Sequence, residues 1–441
     1  MSLHNGFVLL PKLKPSAGLR GGIVCVLDIG TTKVACLIAK VDPAEAGRGD
    51  TGRVRNARVL GLGHQRARGM KGGVIVDLDE AERAIRIAVD AAERMAGVHA
   101  QGVIVNMTGG RLGSQTFHAE IALNGRAAAE SDLHHVMEIA TAHSTANSRS
   151  VLHSVPTGYA LDSARGIRDP NGMVGETLGV DMHVVTGDTA VARNIMLAIE
   201  RCHLTVEAMV ATPYASGLAV LIDDEAQMGV AAIDFGGGTT SLSVFNGGNV
   251  AHIDAIAVGG HHITMDIARA FSMRLGDAER IKTLSGSCIE SASDDRELIS
   301  ITQVGDEDRE AATHIPRSQL TRVIRPRIEE ILELVRDRLK ASGFAHEAGR
   351  RLVLTGGASQ LSGLPELARR ILSKQVRAGR PAGISGLPES AKSPAFAAGV
   401  GLIIYPQVAA LEHFEPVRRS FLGTGTDGYF SRVGRWLKDS F

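Results

Sequence analysis

The stretch GIVCVLDIGTTKVACLIAKV, Gly22–Val41, sets two apolar, β-branched runs on either side of Asp28-Ile29-Gly30-Thr31-Thr32-Lys33. That pattern predicts a β-hairpin whose tip is small, hydroxylated and glycine-containing. The same pattern returns in GVAAIDFGGGTTSLSVFNGGNV, Gly229–Val250: strand, Asp-x-Gly turn with two threonines, strand. A repeat this far down the chain is not a solenoid period. It predicts two homologous halves of one molecule.

The chemistry of such a tip is phosphate binding. A tight turn without bulky side chains lets backbone N–H groups approach phosphate oxygens, and threonine hydroxyls add donors. An aspartate at the strand end would repel phosphate directly, but it suits a Mg²⁺ held through water, since that ion keeps several of its waters. Asp28, Gly30, Thr31, Thr32 and Lys33 in the first copy are therefore candidate ligands of a polyphosphate. So are Asp234, Gly236, Gly237, Gly238, Thr239 and Thr240 in the second, with Asp28 and Asp234 the Mg²⁺ carboxylates. One such hairpin alone is a weak signal, because plain turns look alike; two copies at matching positions are a strong one. A third element, LVLTGGAS (Leu352–Ser359), reads as strand, glycine turn, then a helix from about Leu364. At Gly356, Gly357 and Ala358 a flat ring can lie against the backbone.

The 441 residues point to roughly two to four subdomains. Lys+Arg and Asp+Glu both number 48, so the chain lacks the overall basic charge that nucleic-acid binding uses, and no nucleic acid is expected as partner. Cys25, Cys36, Cys202 and Cys288 have no metal spacing and read as reduced thiols, three of them in cores and Cys288 exposed. The adjacent pairs His134-His135 and His261-His262 point in different directions and do not share a metal. Residues 1–20 read as a flexible arm. No signal or spanning segment is visible, so the chain is expected to stay in the cytoplasm. Asp79–Ala96 has helical spacing with Ala84, Ile87, Ala91 and Met95 on one face. Thr108 to Met182 looks like an inserted α+β module containing one helix, Ser131 to Ala146. Further helices are expected at Asp188–Cys202, near Gly259–Leu275 and at Ser318–Ser342, with a polar region from Gly286 to Ile315 and a final apolar helix.

The C-terminus, GYFSRVGRWLKDSF (Gly428–Phe441), follows a Gly/Thr linker. On a helical wheel Phe430, Val433, Trp436, Leu437 and Phe441 share one face, and Arg432, Arg435 and Lys438 take the other. Aromatics opposite basic groups suit an interfacial anchor on an anionic membrane surface. Trp436 is the sole tryptophan, and this ring prefers the headgroup region. The competing reading is a helix docked on the protein's own core.

These motifs resemble the actin/sugar-kinase/heat-shock ATPase superfamily, and within it the FtsA family of bacterial actin-like cell-division proteins. The resemblance runs from about Gly22 to Phe441 and is carried by LDIGTTKVACLIAKV, ARGMKGG (Ala67–Gly73), VLHSVPTGYALD, AIDFGGGTTSLSVFNGG, DAERIK (Asp277–Lys282) and LTGGASQLSGLPELA. It implies an α/β, two-lobed actin-like (ribonuclease-H-like) fold with an FtsA-type 1C module and a C-terminal amphipathic helix. The implied layout is subdomain 1A at 21–103, 183–213 and 394–411, 1C at 104–182, 2A at 214–259 and 327–393, and 2B at 260–326, then a linker at 412–427 and the membrane helix at 428–441. ATP and Mg²⁺ are the implied cofactors, and Glu279 and Lys282 match positions that contact the nucleoside. The implied partners are the FtsZ C-terminal peptide on 2B, further copies of the chain in a filament, the membrane, and late division proteins on 1C. The implied place is the cytoplasmic face of the inner membrane at the division site. Arg317 and Arg322 are candidates to meet an acidic tail, with a solvated basic face as the plain alternative. The segment Ala211–Leu218 holds no acid or amide to orient an attacking water, so hydrolysis is expected to be slow at most, and no catalytic residue is identified. The other functional readings are a soluble FtsA-like scaffold of a pilus or secretion system and a small-molecule kinase of the superfamily.

Overall fold

The strand Gly22–Ile29 pairs antiparallel with Lys33–Val41 along its whole length, and Val230–Phe235 pairs the same way with Thr240–Asn246. Both expected hairpins form, and each seeds a separate sheet of the same strand order. The first is extended antiparallel by Ala57–Arg66, and on its other side by the parallel strands Gly102–Met107 and Thr205–Ala211. The second is extended antiparallel by Asn249–Ile256, and on its other side by the parallel strands Arg351–Thr355 and Gln375–Ala378. Repeated strand order is the physical content of the sequence repeat. A computed structural model describes residues 10–13, 22–42, 57–109, 111–142, 149–305, 313–409 and 412. The expected membrane residues Phe430, Val433, Arg435, Trp436, Leu437, Lys438 and Phe441 lie outside the described residues, as does most of the arm. Within the described residues no helix is long and apolar enough to cross a membrane.

The inserted module builds its own antiparallel sheet from Gly113–Ala122, Thr177–Asp188, Arg149–Leu161 and Ala164–Ile167, with one helix, Glu130–Ala142, on its apolar face. Its strands are long, up to 13 residues. The module joins the edge of the second half's sheet at a single register pair, Asp254 with Gly113. The Ser114 hydroxyl reinforces that seam, donating to the Ile253 carbonyl (3.1 Å) and accepting from the Ile253 N–H (2.8 Å).

Several expectations change. The helix Leu78–Ala96 forms, capped by Asp77 at its start and Gly97 at its end. Its buried face, however, is Ala81, Ala84, Ile85, Ala88, Val89 and Ala92, whereas Ile87 and Met95 are 44% and 56% exposed. The reason lies in the neighbouring strand. Gly61 and Gly63 let the helix backbone come so close that a Cβ on Gly63 would sit 2.7 Å from the Ala92 nitrogen. At that spacing alanines fit and larger side chains do not. Cys288, expected at the surface, is fully buried, because its N–H donates to the Ser362 carbonyl (2.8 Å) and folds the Gly/Ser stretch inward. Burial pushes its thiol up to about 12. Cys202 is the half-buried one instead. The helix expected near Gly259–Leu275 forms as Gly260–Ala270, and a second helix, Leu275–Ser285, follows it. Part of the N-terminal arm is docked: Leu10 is 6% exposed in the first core, and the Lys12 ammonium donates to the Leu152 carbonyl.

His183 sits at the centre of the module's sheet, 1% exposed, with neither ring nitrogen partnered. Burial, with His252 and His153 nearby, holds it down to about 3. Between pH 3 and 6.5 the unfolded chain binds a proton here and the folded chain does not, so stability falls as pH drops through that window. The expected loss between pH 7 and pH 5 is on the order of 2 kcal/mol from this one ring. His183→Leu should flatten that part of the profile. Thermal unfolding of both proteins at the two pH values checks this; an identical acid loss would refute it.

Candidate functional site

The tips of the two hairpins face each other across a cleft of about 780 Å³. That volume suits a nucleotide-sized ligand. Its walls carry Asp28, Gly30, Thr31, Thr32 and Lys33 from the first hairpin, and Asp234, Gly236, Gly237 and Thr239 from the second. Glu279, Lys282, Gly356, Gly357 and Ala358 also line it, so most of the residues singled out from the sequence converge. Two do not reach the cleft. Gly238 packs beneath the tip, where a Cβ would strike the Thr31 side chain at 2.7 Å (Cγ2). The Thr240 hydroxyl is turned away, donating to the Val258 carbonyl (2.8 Å).

The floor is built from residues that carry no motif. Asn106, at the end of a buried strand, accepts from the Ile29 N–H (2.7 Å) and donates to Asp28 Oδ1 (2.8 Å) and to Thr212 Oγ1 (3.1 Å). Asp28 is thus fixed by an amide reaching across two strands. The Lys33 ammonium lies 3.4 Å from Asp28 Oδ2 and donates to the Ala395 carbonyl (2.6 Å). Asp234 accepts from the Ser216 hydroxyl. Burial raises the Asp234 carboxyl to about 6; the Ser216 bond lowers it and the Asp28 charge raises it further. Two carboxylates facing one cleft, one of them reluctant to ionise, are a donor set that a divalent cation relieves. Among the described residues no three His, Cys, Asp or Glu groups converge on a metal. A Mg²⁺ here would therefore keep most of its water, as that ion prefers.

The ARGMKGG segment gains a place. The Ala67 N–H donates to the Thr32 carbonyl (3.0 Å), and the Gly73 N–H donates to Thr31 Oγ1 (3.0 Å). The segment therefore braces the first tip from outside. At the far end Lys282 pairs with Glu279 (2.7 Å) and donates to the Gly260 carbonyl (3.0 Å) and Thr264 Oγ1 (2.8 Å). Burial would raise the Glu279 carboxyl, but Lys282 and the Thr264 hydroxyl outweigh it and leave the group below its ordinary value. Arg317 also lines this end, paired with Glu297 (2.9 Å) and bonded to the Ser285 carbonyl (3.0 Å), while Arg322 is exposed on the helix Arg317–Ala341.

Residues 231–401 match the family described as Cell division protein FtsA, and residues 109–186 match the SHS2 domain inserted in FTSA. Over 432 residues the chain is 52% identical to Cell division protein FtsA of Rhizobium meliloti (strain 1021), covering 98% of each. It is 32% identical over 426 residues to Cell division protein FtsA of Escherichia coli (strain K12), covering 95% of this chain and 98% of the relative. Among solved structures, the PilM-PilN type IV pilus biogenesis complex superposes with a TM-score of 0.61 at 15% identity, covering 87% of this chain and 98% of that one. MreB 5 of Spiroplasma citri bound to AMPPNP gives 0.51 at 13% identity, covering 95% and 99%. At such identities the last two show the fold alone, a two-lobed actin-like one.

Proposed function

This chain belongs to the FtsA family of cell division proteins, and we propose that it is an ATP-binding, self-associating anchor that holds FtsZ at the cytoplasmic face of the inner membrane. The observation that carries the nucleotide part is the convergence of two Asp-Gly-Thr hairpins and a glycine turn on one cleft. In this reading Gly30 to Lys33 and Gly236, Gly237 and Thr239 hold the phosphates. Asp28 and Asp234 hold Mg²⁺ through water, and Glu279, Lys282, Gly356, Gly357 and Ala358 hold the nucleoside. Bound Mg²⁺ supplies charge neutralisation for the phosphates. The region 260–326 receives the FtsZ C-terminal peptide and the module at 104–182 receives late division proteins. The helix at 428–441 lies on anionic lipid.

The membrane part rests on the sequence of Gly428–Phe441. Five apolar side chains, partly buried in lipid, each contribute on the order of 1–2 kcal/mol. Ordering the helix takes back several kcal/mol, so one tail binds weakly and a filament of tails strongly. Vesicle co-sedimentation of the full chain against a chain ending before Gly428, with and without Mg-ATP, tests this. The expected result is that only the full chain pellets, and more of it with Mg-ATP. Equal behaviour of both chains would overturn the anchor and favour the soluble pilus-type scaffold or a small-molecule kinase.

A further inference from the structure

We propose that Phe396 is a positioning residue for the Lys33 ammonium and, through it, sets the affinity of the cleft for the phosphates of a nucleoside polyphosphate. The inference rests on the nucleotide reading of the cleft. Lys33 opens the second strand of the first hairpin, and its ammonium lies 3.7 Å from the centroid of the Phe396 ring. A cation this close to an aromatic face is attracted by the ring quadrupole. The ring is 7% exposed and is itself held edge-on by His64, with centroids 5.9 Å apart and planes at 89°. It is therefore a fixed surface that cannot turn its face away.

The arrangement solves a problem that the sequence poses. A lysine beside Asp28 in a partly dry cleft tends to close on the carboxylate, and a tight pair would cancel both charges. Here the separation is 3.4 Å, and the ammonium's shorter bond goes to the Ala395 carbonyl at 2.6 Å. A carbonyl and a ring face are neutral partners: they attract the cation without cancelling its charge. The ion pair with Asp28 is therefore a long one, and it leaves part of the lysine's field for a phosphate and part of the carboxylate's for a cation. Burial pulls the ammonium below its usual range, with Asp28 and Asp234 pushing the other way.

The partners of Lys33 also belong to a turn that the opposite hairpin's neighbour holds. The Gly356 N–H donates to the Pro394 carbonyl (3.2 Å), and the Thr355 hydroxyl reaches the same oxygen (3.5 Å). The short turn Pro394–Phe396 thus fastens the glycine turn of the second half to the lysine of the first.

A fluorination series tests this on the full chain. Phenylalanine at 396 is replaced by mono-, di- and trifluorophenylalanine, which keep the ring's shape and weaken its negative face step by step. Affinity for Mg-ATP is measured by titration, with thermal unfolding as the check on folding. The logarithm of Kd is expected to rise in step with fluorine number, Phe396→Tyr to bind like wild type, and Phe396→Leu to bind about tenfold more weakly. In a Lys33→Gln background the fluorine dependence should vanish. A flat series in a wild-type background that binds Mg-ATP overturns this inference alone. A wild-type chain that does not bind Mg-ATP overturns the reading of the cleft and this inference with it.

Discussion

Gly401→Val is expected to destabilise the protein by on the order of 5 kcal/mol and to lower its main thermal transition by several degrees. Gly401 lies in the helix Ala397–Val408, which crosses the helix Thr212–Val220 at the join between the two halves. Every residue of the second helix is buried. A Cβ on Gly401 would fall inside the envelope of the Ala215 carbonyl, and that oxygen belongs to helical backbone that cannot step aside. The crossing also serves the cleft from both sides. Ser216, on the helix Thr212–Val220, donates to Asp234 of the second hairpin. Gly399, on the helix Ala397–Val408, passes Asp28 of the first hairpin, where a Cβ would lie 3.7 Å from the Asp28 Cβ. Forcing the helices apart therefore moves both carboxylates. Gly399→Ala is the control. Its nearest obstacle is the Leu37 Cδ1 at 2.8 Å, the end of a flexible side chain, so the gain in helix propensity offsets the contact. If Gly401→Val unfolds at the wild-type temperature, the close crossing is not what joins the halves.

The hairpins were legible because their whole logic is local: strand, aspartate, small turn, strand within about twenty residues. The pair Glu279 and Lys282 came from the family resemblance, because their spacing, three residues apart on one helix face, fits an ordinary surface salt bridge equally well. What the sequence hid is what distant segments do to each other. Asn106 ends an ordinary buried strand and Thr212 opens an ordinary apolar helix; only the parallel pairing of Gly102–Met107 with both Gly22–Ile29 and Thr205–Ala211 brings them together beneath Asp28. The face of Leu78–Ala96 misled for a similar reason. Helical spacing alone favours the large residues Ile87 and Met95, and the glycines that select alanines instead lie on another element. The docking of Leu10 has no local signal at all, since a short apolar run in an arm looks the same whether or not a core lies beside it.

Asp234→Asn should do two opposite things at once: raise the stability of the ligand-free protein and weaken Mg-ATP binding by about a hundredfold or more. The carboxyl is held up at about 6 by burial and by the facing Asp28, so at pH 7 the fold carries the cost of ionising it. In the window between its ordinary value and 6 the folded chain binds more protons than the unfolded one. Stability from this group therefore falls as pH rises through that window and stays low above it. Removing the charge should return about 2 kcal/mol at pH 7, after allowing for water in the cleft. The asparagine oxygen can still accept from Ser216, so the local bond survives. What is lost is half of the negative charge that a hydrated Mg²⁺ would meet. The same titration predicts that in the wild type the Mg²⁺-dependent part of ATP affinity drops as pH falls below about 6, and that Asp234→Asn abolishes this dependence. Calorimetric unfolding at pH 7, together with ATP titrations with and without Mg²⁺ at several pH values, separates the two effects. A variant that is both less stable and equally able to bind Mg-ATP would mean that Asp234 is a structural carboxylate, and that the cation, if one binds, is held by Asp28 alone. A gain in stability paired with a loss of Mg-ATP binding would show that the strain stored at Asp234 is relieved by the ligand, which is how an empty cleft comes to favour being filled.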